Sequence, residues 1–262
     1  MTCSERMPDR REFMRYGALA TALATAGVPR IAMAAVGDDT TKEKPPLAAM
    51  FFGGELKEVR AELEKRYRLK AFSGGMKQGS KAVEGLEHLA DCDLWIGSVD
   101  KRSEPGDEQL EHFKKFHARG GAFAGYRAAS HVFQNYLQAD LDVFGAKYGG
   151  HHLLEHDPIL VIEVVDDAAD HEILKGLAPP RPASGSYSYT EVADDVTVLL
   201  KSGLAGDMMP HTWIRENAKT KGRVFYTRYD AKELATNETC REIFLRGVAW
   251  TLGGKKTAAK GS

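Results

Sequence analysis

The chain has 262 residues, 43% of them apolar, with 36 Lys and Arg against 37 Asp and Glu and a formal net charge of −1. That length and apolar content support a real core in one domain of ordinary size. The near-balance of charge, with no basic stripe, argues against a nucleic-acid partner.

Residues 1–34 read as a twin-arginine signal peptide. Asp9-Arg10-Arg11-Glu12-Phe13-Met14-Arg15 carries paired arginines, residues 16–28 are weakly apolar, and Ala32-Met33-Ala34 fits the small-x-small site of a signal peptidase. The apolar stretch is 13 residues long, whereas a membrane helix needs about 20. No stable membrane span is therefore expected. The expected partner is the twin-arginine export machinery and the expected location periplasmic or secreted, with an amphipathic N-terminal helix as the plain alternative. Cys3 leaves with the signal. Cys92 and Cys240 are too few for a disulfide framework and lack metal-ligand spacing.

Residues 35–46 are charged and Pro-containing, a linker. Leu47-Ala48-Ala49-Met50-Phe51-Phe52 is an apolar run ending at Gly53-Gly54, suited to a strand buried on both faces. Residues 55–67 have helical spacing, with Leu56, Val59, Leu63 and Tyr67 on one side. Lys70-Ala71-Phe72 is a second strand, residues 83–89 a short helix, and residues 93–99 a third strand. Residues 107–118 form a helix with Leu110, Phe113, Phe116 and His117 facing inward. Strands alternating with helices imply βαβ units and a parallel sheet, with ligands beyond the carboxyl ends of the strands.

Gly121 to Phe133 reads as a short strand, a tight turn and a helix start. Such turns lift one side chain above the sheet and aim helix N–H groups at the same spot. Ser or Cys is the usual occupant; Arg127 stands here. A guanidinium cannot act as a nucleophile, but its fork of donors binds a carboxylate, a phosphate or a polarised oxygen. His131 follows one helical turn later. The expected rim also holds Ser98-Val99-Asp100.

The second half is richer in strands: residues 159–165, a strong one, then 196–201, 211–214 and 224–229. A closing amphipathic helix over residues 239–252 carries Cys240, Ile243, Phe244, Gly247 and Val248 on its apolar face, which makes Cys240 a packing residue. Residues 255–262 are a polar tail.

Four of the nine histidines, His131, His151, His152 and His156, fall within 26 residues. Imidazoles change protonation near neutral pH, so the cluster suits proton transfer or metal binding; hydrogen-bonded histidines of a solvated loop are the bland reading. Gly149-Gly150 points to a loop with unusual backbone angles or close approach to a ligand. Tyr187, Tyr189 and Asp230 are candidates to contact hydroxyls, Tyr187 and Tyr189 alternatively as a surface strand. Tyr226, Arg228 and Tyr229 follow the last strand.

Several segments together resemble the ThuA-like (trehalose-utilisation) family. They are Gly125-Tyr126-Arg127-Ala128-Ala129-Ser130-His131, then Val143 to His152, Asp157-Pro158-Ile159, Thr212-Trp213-Ile214, Gly222-Arg223-Val224-Phe225-Tyr226-Thr227 and Val248-Ala249-Trp250-Thr251-Leu252-Gly253. The resemblance covers residues 47–254. It implies an α/β fold, a flavodoxin-like parallel sheet flanked by helices, of the class I glutamine amidotransferase-like kind. Arg127 and His131 stand where true amidotransferases carry Cys and Gln, so glutaminase activity is not expected. Arg228-Tyr229-Asp230-Ala231 replaces the family's Gly-His turn.

The resemblance implies a small-molecule carbohydrate partner: a disaccharide, glycoside or keto-sugar processed by proton transfer. Catalytic roles then fall to Arg127, His131, His151 and His152, and substrate contacts to Tyr126, Ser130, Tyr187, Tyr189 and Asp230. No cofactor is required by the sequence, and a divalent metal is allowed. Two other readings stand beside this one. One is a non-catalytic sugar- or anion-binding protein. The other is a metal-dependent enzyme using two or three of His131, His151, His152, His156 and His211. The oligomeric state is not legible.

Overall fold

The computed structural model describes residues 44–52, 56–73, 82–98, 103–153, 160–183 and 185–253. The expected signal peptide, most of the linker and the tail lie outside them, as do Gly53-Gly54, Asp100, His156 and Asp157-Pro158-Ile159. The described residues belong to one compact unit, Glu43–Ser262.

The strands are β1 (Leu47–Phe52), β2 (Arg68–Ser73), β3 (Leu94–Gly97), β4 (Ala122–Tyr126), β5 (Ala146–Leu153), β6 (Val161–Val164), β7 (Ser186–Val192), β8 (Val196–Leu204), β9 (Asp207–Glu216) and β10 (Arg223–Thr227). The helices are α1 (Lys57–Arg66), α2 (Asp107–Ala118), α3 (Ala231–Thr236) and α4 (Glu238–Thr251). Eight strands form one sheet in the order β2-β1-β3-β4-β10-β9-β8-β6. From β2 to β10 all pairings are parallel, which is the doubly wound flavodoxin order. β9, β8 and β6 extend the sheet antiparallel. β5 and β7 make a separate antiparallel ribbon.

The continuous apolar runs of the central strands are explained by their two covered faces. In β1, Ala48 and Met50 enter one core cluster while Ala49 and Phe51 enter the other. The first cluster takes Val59 and Leu63 of α1 and Ile243, Phe244 and Val248 of α4. The second takes Leu110, Phe113 and Phe116 of α2, together with Phe133, Val143 and Phe144. Cys240 is buried on the inner face of α4 as expected, and burial pushes its thiol up to about 12.

The strand expected over 159–165 is β6, Val161–Val164, at the sheet edge with alternating exposure. Three expectations change. Residues 83–89 do not form an α-helix; a 3-10 turn covers Leu86–Asp91. The helix expected after β4 is only a 3-10 turn, Arg127–His131. Phe133 then pairs with Ser103 in an isolated parallel bridge, which draws the chain into extended backbone. No α-helix therefore starts at Arg127. Finally, Gly149-Gly150 is not a loop: it lies within β5, at a shift of register against β7, with Gly150 at φ +124°.

Close approach fixes one helix glycine. A Cβ on Gly247 of α4 would stand 2.4 Å from ring atoms of Phe225 in β10. Gly247→Ala should therefore destabilise by about 1–3 kcal/mol through overpacking, outweighing a helix-propensity gain of about 1 kcal/mol. The readout is a lowered denaturant midpoint with unchanged slope. An unchanged or higher midpoint would contradict this packing.

Candidate active site

The site begins with a register. β4 and β10 run parallel with Tyr126 opposite Thr227, so the next residues of both strands, Arg127 and Arg228, emerge side by side at the carboxyl edge of the sheet. Arg127 has φ +47°, in the left-handed region that side chains with a Cβ rarely adopt. Its carbonyl is held there by the hydroxyl of Tyr226, which donates to it at 2.5 Å. The Ser130 hydroxyl in turn donates to Tyr226 at 3.3 Å. Strain of this kind is retained where neighbours over-determine it.

The guanidinium of Arg127 is partly exposed and stands 4.0 Å from Asp230 Oδ2. Asp230 also has a structural duty. It is the N-cap of α3: its Oδ1 accepts from Glu233 N–H at 2.8 Å, and its own N–H donates to Glu233 at 2.8 Å. One carboxylate oxygen thus starts a helix while the other faces the cation.

Tyr187 is the hub. Arg228, fully buried, lies over its ring at 3.9 Å and Arg127 at 5.7 Å, both cation–π arrangements. The ribbon brings further rings to the same place. His131 stacks on Tyr148 at 3.9 Å and 11°, and meets the edge of Tyr187 at 5.4 Å. His151, paired opposite Tyr187, lies 5.3 Å from it. Tyr148 stands edge-on to Tyr187 at 5.0 Å.

Beside this cluster opens a cavity of about 450 Å³ walled by His131, Gln134, Leu137, Asp140, Lys147, Tyr148 and His151. Arg127 is not among these walls; it joins them through Tyr187. Asp140 is only 5% exposed. Burial pushes its carboxyl up to about 7, with the Tyr148 N–H, 3.3 Å from Oδ2, and the charge of Lys147 pulling the other way. It sits on a π-helical turn, Asp140–Phe144, whose carbonyl end is pinned from β9. Arg215 donates to the carbonyls of Leu141, Asp142 and Val143 at 2.8, 2.8 and 3.2 Å, and Trp213 donates to that of Phe144 at 2.7 Å.

Sequence reasoning missed Asp140. A signal exists: Asp140 shares helical spacing with Val143 and Phe144, which places a carboxyl on an apolar face. Gln134 and Lys147 were missed as well, and nothing in their local pattern marks them.

Of the expected site residues, Arg127, Ser130, His131, His151, Tyr187 and Asp230 gather here. Three others lie apart. Tyr126 points to the opposite face of β4 and packs edge-on against Phe244 at 5.9 Å. Tyr189 packs edge-on against Trp213 at 5.4 Å, and burial raises its hydroxyl well above the ordinary range. His152 reaches away to Asp207, 3.2 Å from its carboxylate and 3.4 Å from its carbonyl, tying the ribbon to the β8–β9 turn.

His211 is fully buried against Tyr229 at 4.4 Å, with Nδ1 2.9 Å from the Thr212 hydroxyl. Burial, and then the charge of Arg228, hold its pKa well below the ordinary value, so it stays neutral. Among the described residues no three His, Cys, Asp or Glu side chains converge as a metal-ligand set.

Known proteins place this architecture. The ThuA family model, described as trehalose utilisation, matches residues 53–251. A ThuA-like protein from Bacteroides uniformis is similar in structure, with a TM-score of 0.56, 17% identity, and coverage of 83% of this chain and 95% of that one. Another from Parabacteroides merdae gives a TM-score of 0.53 at 15% identity, over 83% and 93% of the two chains. At such identities the likeness shows the fold. No curated protein matches the chain.

If Arg127 is held in left-handed backbone for its side chain, glycine should fit that backbone better. Arg127→Gly should hold or raise stability, by up to about 1 kcal/mol, or roughly 2–4 °C in Tm for a domain of this size. The measurement is thermal unfolding by circular dichroism. A fall of comparable size would show that the guanidinium supports the fold.

Proposed function

The chain belongs to the ThuA family, and from that premise we propose that it is a carbohydrate-processing enzyme working by proton transfer on a disaccharide, glycoside or keto-sugar. It has a flavodoxin-like sheet of the class I glutamine amidotransferase-like kind, without a nucleophile at the elbow. The observation that carries the reading is the convergence of a strained cationic residue, Arg127, two imidazoles, His131 and His151, and a stacked aromatic cluster at the carboxyl edge of the sheet, beside a cavity that the imidazoles help to wall.

Arg127 holds and polarises a substrate oxygen, a fixed positive charge where negative charge develops. Tyr148, at the cavity wall, supplies a ring against which a sugar packs, the buried Tyr187 supports it, and Asp230 keeps the guanidinium oriented. His151 is exposed at the cavity and carries a proton to or from the substrate, with the buried His131 assisting. The chemistry needs no cofactor in this form. Delivery of the folded protein across the bacterial inner membrane by the twin-arginine route belongs to the same proposal, on the strength of Arg10-Arg11 and Ala32-Met33-Ala34.

A second reading has its own support. Arg127 is partly exposed against the Tyr187 ring, over which the buried Arg228 also lies, a positive neighbourhood that suits the capture of a carboxylate- or phosphate-bearing sugar by Arg127 without turnover.

The test is product analysis by NMR. Protein lacking residues 1–34 is incubated in deuterated buffer with a panel of disaccharides and their 3-keto derivatives. Deuterium uptake or a new sugar is expected for a keto substrate. Arg127→Ala should cut that rate by roughly 10²–10³-fold. Unchanged turnover in the variant would sink the role of Arg127, and binding of an anionic sugar without product would move the weight to the second reading.

A further inference from the structure

Asp140 has a position in the fold but little structural work there. It is nearly buried, accepts one long hydrogen bond from the Tyr148 N–H at 3.3 Å, and forms no ion pair among the described residues. The turn that carries it is secured by Arg215 and Trp213 through backbone carbonyls, not through its carboxyl. A carboxyl withdrawn from water without a paired cation is a net cost to stability. Yet it lines an open cavity, and the groups that share those walls are the ones proton chemistry uses: His131, His151, Lys147 and Tyr148.

Resting on the sugar-processing reading above, we infer that Asp140 is a catalytic residue: the base that removes the proton α to the carbonyl of a keto-sugar, opposite His151 acting at the carbonyl oxygen. In this step the α C–H bond breaks and its electron pair forms the C=C bond of an enol. The carbonyl π pair moves onto oxygen, which takes a proton from the imidazolium of His151. The α proton passes to a carboxylate oxygen of Asp140. Return of a proton from Asp140 to carbon, and of the hydroxyl proton to His151, reverses the step and exchanges solvent deuterium into the sugar.

Two groups with separated environments divide the base and acid roles. Burial suits Asp140 to its role, because a carboxyl pushed up to about 7 is a far stronger base than an exposed one. The charged and titratable groups facing it are Lys147, His131, His151 and Tyr148.

The same displacement gives a readout independent of substrate. The folded pKa lies above the unfolded one, so the native state holds a proton that the unfolded state has already released between about pH 4 and pH 7. Stability therefore falls as pH rises through that window, and above about pH 7 the native state carries an ionised, buried carboxyl. Asp140→Asn, nearly isosteric and uncharged, should melt higher than the parent at pH 8 and equal to it at pH 4.

The experiment combines that melting comparison with rates for both proteins on whichever panel sugar the parent exchanges or converts. Loss of roughly 10²–10⁴-fold in kcat is expected, with KM within a few-fold and the rising limb of the parent's pH profile near 7 gone. A variant less stable at every pH assigns Asp140 to the fold and overturns the inference. A variant keeping its rate and its pH limb overturns it while leaving the sugar-processing reading intact. A parent silent on every sugar overturns both together.

Discussion

The register of β10 against β4 is the constraint on which the site depends. Tyr126 opposite Thr227 brings two chain ends to the same height, and two arginines leave the sheet together. Tyr226, one residue earlier on β10, reaches across to hold the Arg127 carbonyl and takes part in the same network as Ser130. A one-residue slip would send Tyr226 to the opposite face. It would then enter the cluster around Phe225 and α4, and nothing would hold the left-handed turn. The strained residue, its anchor and the second guanidinium are thus consequences of a single pairing.

The ribbon β5–β7 completes what the sheet begins. It sets Tyr187 against two arginines and two imidazoles, so that cations, rings and titratable groups meet at one place, with Tyr187 and Arg228 buried and His151 exposed. Burial acts on titratable groups in opposite directions by their charge type: it raises Asp140 and lowers His211. The imidazoles wall the cavity, and Arg127 joins it through Tyr187. A substrate oxygen reaching beyond the cavity to Arg127 would meet a fixed cation.

Much of the sheet was legible because its central strands are short, continuous apolar runs, and a strand covered on both faces needs nothing else. The helix 107–118 was legible for a related reason: Leu110, Phe113 and Phe116 repeat at helical spacing, and the structure ends it at Ala118. What was not legible depends on contacts distant in sequence. The chain after Arg127 carries residues compatible with a helix, and only the bridge from Phe133 to Ser103 shows that the turn stops.

His151 and His152 looked equivalent in sequence. The pairing of β5 with β7, across more than thirty residues, sends one to Tyr187 and the other to Asp207. Asp140 has helical spacing with Val143 and Phe144, but Asp142 beside it blurs that signal, and its burial follows from the packing of this turn against β5 and β10. Arg127 was conspicuous because a guanidinium at an elbow position rules out nucleophilic attack by its own chemistry, whatever surrounds it.

The central claim is that the ring cluster around Tyr187 and its adjoining cavity form the place where sugar binds. It is tested most directly by following the imidazole Cε1–H signals in carbon–proton NMR spectra while a keto-sugar from the active panel is added to the protein. The account predicts that His131 and His151 shift together and saturably, while His88, His112 and His171, on other parts of the surface, stay still. Shifts confined to those distant histidines, or a saturable interaction that leaves His131 and His151 unmoved, would contradict it.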